Sequence, residues 1–271
     1  MMWLPMVAQT VEPADTQLVS RLLSEARHLP ATTNYALHFA RKFIGRPYVA
    51  HTLEVNRDEQ LVVNTRQLDC TTLVENVTAL TLCAQRHLYT VRDFMNALME
   101  LRYRGGILDG YASRLHYFTD WIEDNRRLGL VEEIQEPRPP FNATQTIAVS
   151  YMSQHPQAYR ALKETPALVP LIKAQEDSLN GRQYRYIAKA DVRNTEALRQ
   201  AVRDGDIIAI TCQKPGLDIA HLGFAVWRQD GLHLLNASQL HKRVVEEPMT
   251  LGEYLKKHPS HTGIRIVRIL K

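Results

Sequence analysis

Apolar residues recur at helical spacing through the first half of the chain and gather into short β-type runs in its last quarter. Leu18, Leu22, Leu23, Ala26 and Leu29, then Ala36, Leu37, Ala40 and Phe43, mark one face each of two helices between Asp15 and Phe43, broken at Pro30. Gly45-Arg46-Pro47-Tyr48 closes the second, because glycine suits a left-handed cap and proline cannot continue the ladder. A polar stretch with a strand at Gln60–Asn64 leads to Leu68-Asp69-Cys70-Thr71-Thr72. Beyond it Leu73, Val74, Val77, Leu80, Ala84 and Leu88 form one helical stripe. Thr72 and Glu75 stand at capping-box spacing, which puts Cys70 at or just before a helix N-terminus. Residues 91–103 and 114–128 read as two further helices, parted by turns at Gly105-Gly106 and Gly110. Glu136-Pro137-Arg138-Pro139-Pro140 is a stiff connection, and a weaker helical pattern runs from about Met152 to Gln175. After Gly181 come the runs Ile207–Ile210, Leu222–Trp227, Leu232–Leu235 and Ile264–Ile269, with a tight turn at Gln229-Asp230-Gly231. Helices first and strands last predict an α+β domain with an antiparallel sheet.

Composition narrows the class. A chain of 271 residues can bury about 70–75% of its unfolded surface without disulfide staples. Its 45% hydrophobic and 23% charged residues exclude a disordered, collagen-like or coiled-coil protein. The net charge of +4, with no long basic block, speaks against a nucleic-acid partner. No apolar run approaches the roughly 20 residues that span a bilayer, so stable membrane insertion is not expected. Residues 1–11 are apolar or neutral and lack a basic leader, and Pro5-Met6-Val7-Ala8 reads equally as the end of a truncated signal peptide or part of a frayed terminus. Residues 1–14 are therefore set apart from a single domain over 15–271.

Three cysteines, Cys70, Cys83 and Cys212, leave at least one thiol unpaired. Only Cys70 sits at a helix N-terminus, where the helix dipole favours thiolate; Cys83 and Cys212 read as packing residues. Taken alone, Cys70 reads slightly better as a buried thiol in a capping region. Partners change that balance, since a cysteine nucleophile needs an imidazole and the imidazole needs an orienting acceptor. His221 opens a strand in Asp218-Ile219-Ala220-His221-Leu222-Gly223. Asn236 lies on the next strand, in Leu234-Leu235-Asn236-Ala237-Ser238, where a polar side chain is costly unless bonded. Arg114, in Ser113-Arg114-Leu115-His116-Tyr117, offers a fork for a carboxylate or sugar oxygens, and His116 a second polar contact. Asp69 reads locally as a helix cap. The histidines show no HExxH pattern or close ligand pair, so no metal or other cofactor is called for, and no carboxylate pair stands out as glycosidase-like.

Gly45-Arg46-Pro47-Tyr48-Val49-Ala50 and Leu68-Asp69-Cys70-Thr71-Thr72-Leu73-Val74 resemble the G-x-P-Y and D-C-S-G-F blocks of NlpC/P60 cell-wall hydrolases. Asp204-Gly205-Asp206-Ile207, His221-Leu222-Gly223-Phe224-Ala225-Val226 and Leu235-Asn236-Ala237-Ser238 resemble that superfamily's later blocks, in the same order. Val74-Glu75-Asn76, Arg102-Tyr103-Arg104, Gly110–Tyr117 and Asp120-Trp121 narrow the resemblance to its DUF1460 branch over roughly residues 35–270. Thr71-Thr72 stands where Ser-Gly is common, and Asn236 where a histidine is frequent.

The resemblance implies a papain-like core, with a nucleophile helix packed on a C-terminal antiparallel sheet and a helical insertion at about 90–180. It implies a cysteine-dependent N-acetylmuramoyl-L-alanine amidase with Cys70, His221 and Asn236 as catalytic triad. Tyr48, Asp69, Arg114, His116 and Ser238 would contact a muropeptide or peptidoglycan fragment, with or without a 1,6-anhydro sugar, and the inserted helices would wall the cleft. A periplasmic or exported location follows from where peptidoglycan lies. Two competing readings are a γ-D-glutamyl-diamino-acid endopeptidase of the same superfamily and an inactive muropeptide-binding module. Oligomeric state is left open.

Overall fold

The computed structural model describes residues 9–270. Two helices, α1 (Pro13–Ala26) and α2 (Tyr35–Lys42), lead into α3 (Cys70–Gln85), followed by α4 (Val91–Arg102) and α5 (Phe118–Arg127). Short strands β1 (Gln9–Val11) and β2 (Leu61–Val63) pair in parallel. Residues 9–14, assigned to the leader or unstructured end, thus form β1 and begin α1; Pro5–Ala8 lie outside the described residues.

The main sheet has eight strands. Four follow one another late in the chain: β6 (Ile207–Cys212), β7 (Ile219–Trp227), β8 (Leu232–Ser238) and β9 (Arg243–Glu246). The closing strand β10 (His261–Ile269) runs antiparallel to β6. Its other edge is shared by β3 (Val131–Ile134) and β5 (Gln183–Ala188), and β5 carries β4 (Ala143–Thr146) outermost. The segment 90–180 is therefore not purely helical, because β3 and β4 join the sheet. Between β4 and β5 lie α6 (Tyr151–Gln154), α7 (Arg160–Glu164) and α8 (Val169–Leu179); α9 (Glu196–Ala201) precedes β6, and α10 (Leu251–Lys256) precedes β10.

Both sheet faces are covered. Ile207, Ala209, Leu222, Phe224, Leu235 and Ala237 pack with α1–α5, while Ile208, Ile210, Ala225 and Leu234 face a second core with Leu198, Leu251 and Leu255. Period-two alternation inside continuously apolar strands is what a sheet buried on both sides requires. A smaller apolar cluster, including Tyr117, Val149, Met152, Leu162 and Ile172, holds the inserted helices together.

α3 is buried from Thr72 through Ala84. Its cap differs from the expected Thr72–Glu75 box. Asp69 Oδ1 accepts from the Thr72 N–H at 2.8 Å, and Thr72 Oγ1 accepts from the Asp69 N–H at 2.9 Å, so the box is Asp69–Thr72. Glu75 instead points inward and pairs with Arg102 of α4 at 2.8 Å, with both side chains 2% exposed. Arg102 also donates to the Val62 carbonyl. This buried pair ties α3, α4 and β2, and removing one partner strands a charge in the core. Arg102→Met should lower unfolding free energy by about 3–5 kcal/mol in urea titrations, with much of the loss recovered in Glu75→Leu/Arg102→Met.

Candidate active site

Cys70 is the first helical residue of α3, so its own N–H and that of Thr71 have no intrahelical acceptor. The preceding loop is knitted on both sides. Gly45 donates to the Val244 carbonyl, Tyr48 to the Lys242 carbonyl and Leu68 to the Pro47 carbonyl, which brings the Gly45–Tyr48 turn alongside Leu68 and Asp69. Gly45 takes φ +88°, a left-handed conformation in keeping with its cap role.

His221 stands at a break in register. Ile210 faces His221, but Thr211 faces Ile219, so Ala220 is the extra residue of a β-bulge. Bulges re-aim side chains at the ends of pairing, and this one carries His221 into the cavity that Cys70 lines. Asn236 comes from neighbouring β8, and its Oδ1 accepts from His221 Nε2 at 2.9 Å. Asn236 is fully buried, and its Nδ2 donates to Glu247 Oε1 at 3.0 Å. The expected trio is thus drawn to one place by two adjacent antiparallel strands and one helix N-terminus.

The cavity measures about 180 Å³. It is lined by Cys70, Thr71, His221 and Leu222 and by Leu115, His116, Tyr117 and Phe118, with Met152 and Tyr159. Segments from the 90–180 region therefore wall the cavity. The only carboxylate among its described lining residues is Asp218, whose Oδ2 accepts from the Thr119 N–H near the start of α5 at 2.8 Å. Tyr117 reaches behind the wall, donating to Glu176 at 2.7 Å. Tyr117, Phe118, Met152 and Tyr159 were not singled out from sequence; the adjacency of Tyr117 and Phe118 to His116 was the available signal.

Electrostatics corrects one expectation. Cys70 is partly exposed, yet burial of its sulfur pushes the thiol up to about 12, and the Asp69 carboxylate adds to the rise. N–H groups of Leu222 and Thr71 and the Thr71 hydroxyl oppose it without reversing it. His221 is shifted down by burial, against its bond to Asn236 and the Glu247 charge. Both shifts run against a standing thiolate–imidazolium pair. Tyr48 is raised to about 12 by burial, with Cys70 and Asp69 contributing, so it stands near the sulfur as a neutral phenol.

The other nominated residues divide. His116 is held low, at about 3, by burial and by Arg114, and its Nε2 donates to the Tyr111 carbonyl at 3.0 Å. It lines the cavity as a neutral acceptor. Arg114 does not line it. Its guanidinium, 5% exposed, pairs with Glu54 and, at 3.6 Å, with Glu59, and lies over the Tyr111 ring. That consumes the fork expected for a substrate carboxylate. Ser238 is buried, and its Oγ accepts from the His241 N–H at 3.2 Å, closing a turn outside the cavity lining. Asp69 caps α3. Cys83 and Cys212 are buried, with thiols raised by desolvation. Among the described residues no group of three His, Cys, Asp or Glu side chains is placed to hold a metal ion.

Comparison with known proteins now bears on this geometry. Residues 38–264 match the family model of AmiA-like, N-acetylmuramoyl-L-alanine amidase-like proteins. The chain belongs to this family. An N-acetylmuramoyl-L-alanine amidase from Bacteroides uniformis is 41% identical, superposes with a TM-score of 0.82, and is covered over 98% of its length by 88% of this chain. A Bacteroides fragilis structure carried under a provisional xylanase label is 40% identical with a TM-score of 0.80, over 86% of this chain and 100% of that one. A Legionella pneumophila DUF1460 protein shares the fold at 23% identity, with a TM-score of 0.73 over 95% of each chain. A comparison with curated proteins finds no match.

The family's fold is the one observed, N-terminal helices on a C-terminal antiparallel sheet of eight strands. A thiol raised above its ordinary value should be alkylated slowly at neutral pH. Iodoacetamide labelling of Cys70 at about pH 7 should run slower than that of free cysteine and keep rising through about pH 10. A rate already level below about pH 7 would mean a standing thiolate–imidazolium pair.

Proposed function

We propose that this family member is a cysteine-dependent N-acetylmuramoyl-L-alanine amidase acting on peptidoglycan fragments. The observation that carries the reading is His221, hydrogen-bonded through Nε2 to Asn236 and lining one cavity with Cys70 at a helix N-terminus. With Nε2–H donated to Asn236, Nδ1 is the free acceptor that takes the thiol proton. The sulfur then attacks the carbonyl of the amide joining the lactyl group of N-acetylmuramic acid to L-Ala. The Cys70 N–H at the start of α3, which has no intrahelical acceptor, supports the developing oxyanion. The imidazolium returns the proton to the leaving amine, and neutral His221 activates the water that releases the acyl group.

The Bacteroides uniformis relative's name supports the amide class. A glycosidase would need two carboxylates flanking the bond, whereas Asp218, already tied to an α5 N–H, is the only one among the described lining residues. The small cavity volume and the wall from residues 115–118, 152 and 159 favour soluble muropeptides over intact polymer. Tyr48 and His116 are the polar contacts retained for substrate, with Asp69 shaping the rim beside its capping role. Peptidoglycan lies outside the cytoplasmic membrane, so the reading also favours export or a periplasmic location. No helix among the described residues is long and apolar enough to cross a membrane.

Mass analysis of products from a defined muropeptide should show free sugar and an intact stem peptide. Release of a dipeptide would assign the γ-D-glutamyl endopeptidase activity instead, and no cleavage by the wild type would leave a binding module. Cys70→Ala should lose activity by at least about 10³-fold, while Cys83→Ala and Cys212→Ala keep it. The acid limb of kcat/KM should fall below the ordinary histidine value of about 6.5, since His221 must be neutral and its pKa is lowered; no alkaline decline should appear up to about pH 9.

A further inference from the structure

Asn236 has an amide that can face either way, and its neighbours decide which. Glu247 is 1% exposed, and its carboxylate can only accept. Oε1 receives Asn236 Nδ2–H at 3.0 Å and Oε2 receives His241 Nε2–H at 3.1 Å. The backbone holds the acid in place as well, with the Glu247 N–H donating to the Leu234 carbonyl and its own carbonyl accepting from His233 Nδ1. Because Nδ2 must turn to Glu247, Oδ1 must turn to His221, and His221 must carry its proton on Nε2. The Nδ1 lone pair is thereby left for the thiol.

We propose that Glu247 is a positioning residue of the catalytic array, fixing the His221 tautomer through Asn236 and supplying the negative charge that stabilises the imidazolium formed when the thiol gives up its proton. For its kinetic consequence the inference rests on the amidase reading. The imidazole faces Cys70 and Asp69 from the start of α3, Asn236 and Glu247 from β8 and the segment after β9, Tyr254 and His258 from α10 and its end, and His261 from the start of β10. Of these, Glu247 and Asp69 favour the protonated ring and His258 opposes it. Glu247 is the one of the two acids that reaches the ring through a continuous hydrogen-bonded path.

Glu247→Gln keeps the shape and removes the charge. With muropeptide, kcat should fall about tenfold while KM stays within about twofold. In protein labelled with ¹⁵N-histidine, the His221 resonances, assigned by their loss in His221→Gln, should titrate at lower pH in Glu247→Gln than in wild type. A merely structural acid would not move that midpoint in a folded protein. An unmoved midpoint, or a kcat within about twofold of wild type, overturns the proposal. Glu247→Asp retains the charge and should hold the midpoint at its wild-type position; if Glu247→Gln does not fold, a fall in the Asp variant overturns the proposal. The titration needs no substrate, so failure of the wild type to cleave muropeptide would sink the amidase reading and still leave the midpoint to decide the role of Glu247.

Discussion

α3 lies buried between α2 and α4 and against β7 and β8, so neither its axis nor its start can shift without opening the core. Burial of that length of apolar helix is worth many times the energy of any single contact in the cavity. The position of Cys70 is therefore set by packing and finished by the Asp69–Thr72 box, which stops the helix at that residue. The sheet supplies the opposing constraint. With both faces covered, β7 and β8 are locked in register, and the bulge at Ala220 is the point where the strand is free to turn a polar residue out of the core.

Two effects compete at the thiol, and their sizes differ. A helix N-terminus stabilises a nearby anion by about 0.3–1 kcal/mol, which is less than the 1.36 kcal/mol of one pKa unit. Desolvation and the neighbouring Asp69 lift Cys70 from 9.0 to about 12, so the dipole moderates the shift without controlling it. The same desolvation lowers His221. On the cysteine-hydrolase reading proposed above, both shifts would make proton transfer from thiol to imidazole part of the attack. On that reading the acceptor network behind His221 would matter most where the ring is least exposed, because a polar network gains weight as the local dielectric falls.

The order Cys70, His221, Asn236 was legible because each residue carries a local cost: a thiol at a helix start, an imidazole opening a strand, an amide inside an apolar strand. The adjacency of β7 and β8 followed from the Asp230-Gly231 turn between them. Other features depend on distant partners. β3, β4 and β5 contain Val-Glu-Glu-Ile, Ala-Thr-Gln-Thr and Gln-Tyr-Arg-Tyr-Ile-Ala, runs too short or polar to announce themselves; their conformation comes from pairing with β10 or with each other. Glu75 matched a capping pattern, but Arg102, 27 residues on, claimed it for the core. Arg114 looked like a free fork because Glu54 and Glu59, far upstream, carry no signal that they would meet it.

The fate of Arg114 changes how a net charge of +4 should be understood. Arg114 offered a fork for a substrate carboxylate, yet the described lining of the cavity holds no lysine or arginine. Its walls are aromatic and aliphatic, its histidines neutral, and its one acid is engaged. A charged carboxylate entering such a space would lose its hydration without a partner, a cost of several kcal/mol. On the amidase reading, uncharged groups around the scissile amide would avoid that cost, and the anionic groups of a stem peptide would be better left in solvent at the cavity mouth. Recognition inside the cavity would then rest on shape and on excluding charge, since its described lining carries no cation to attract an anion.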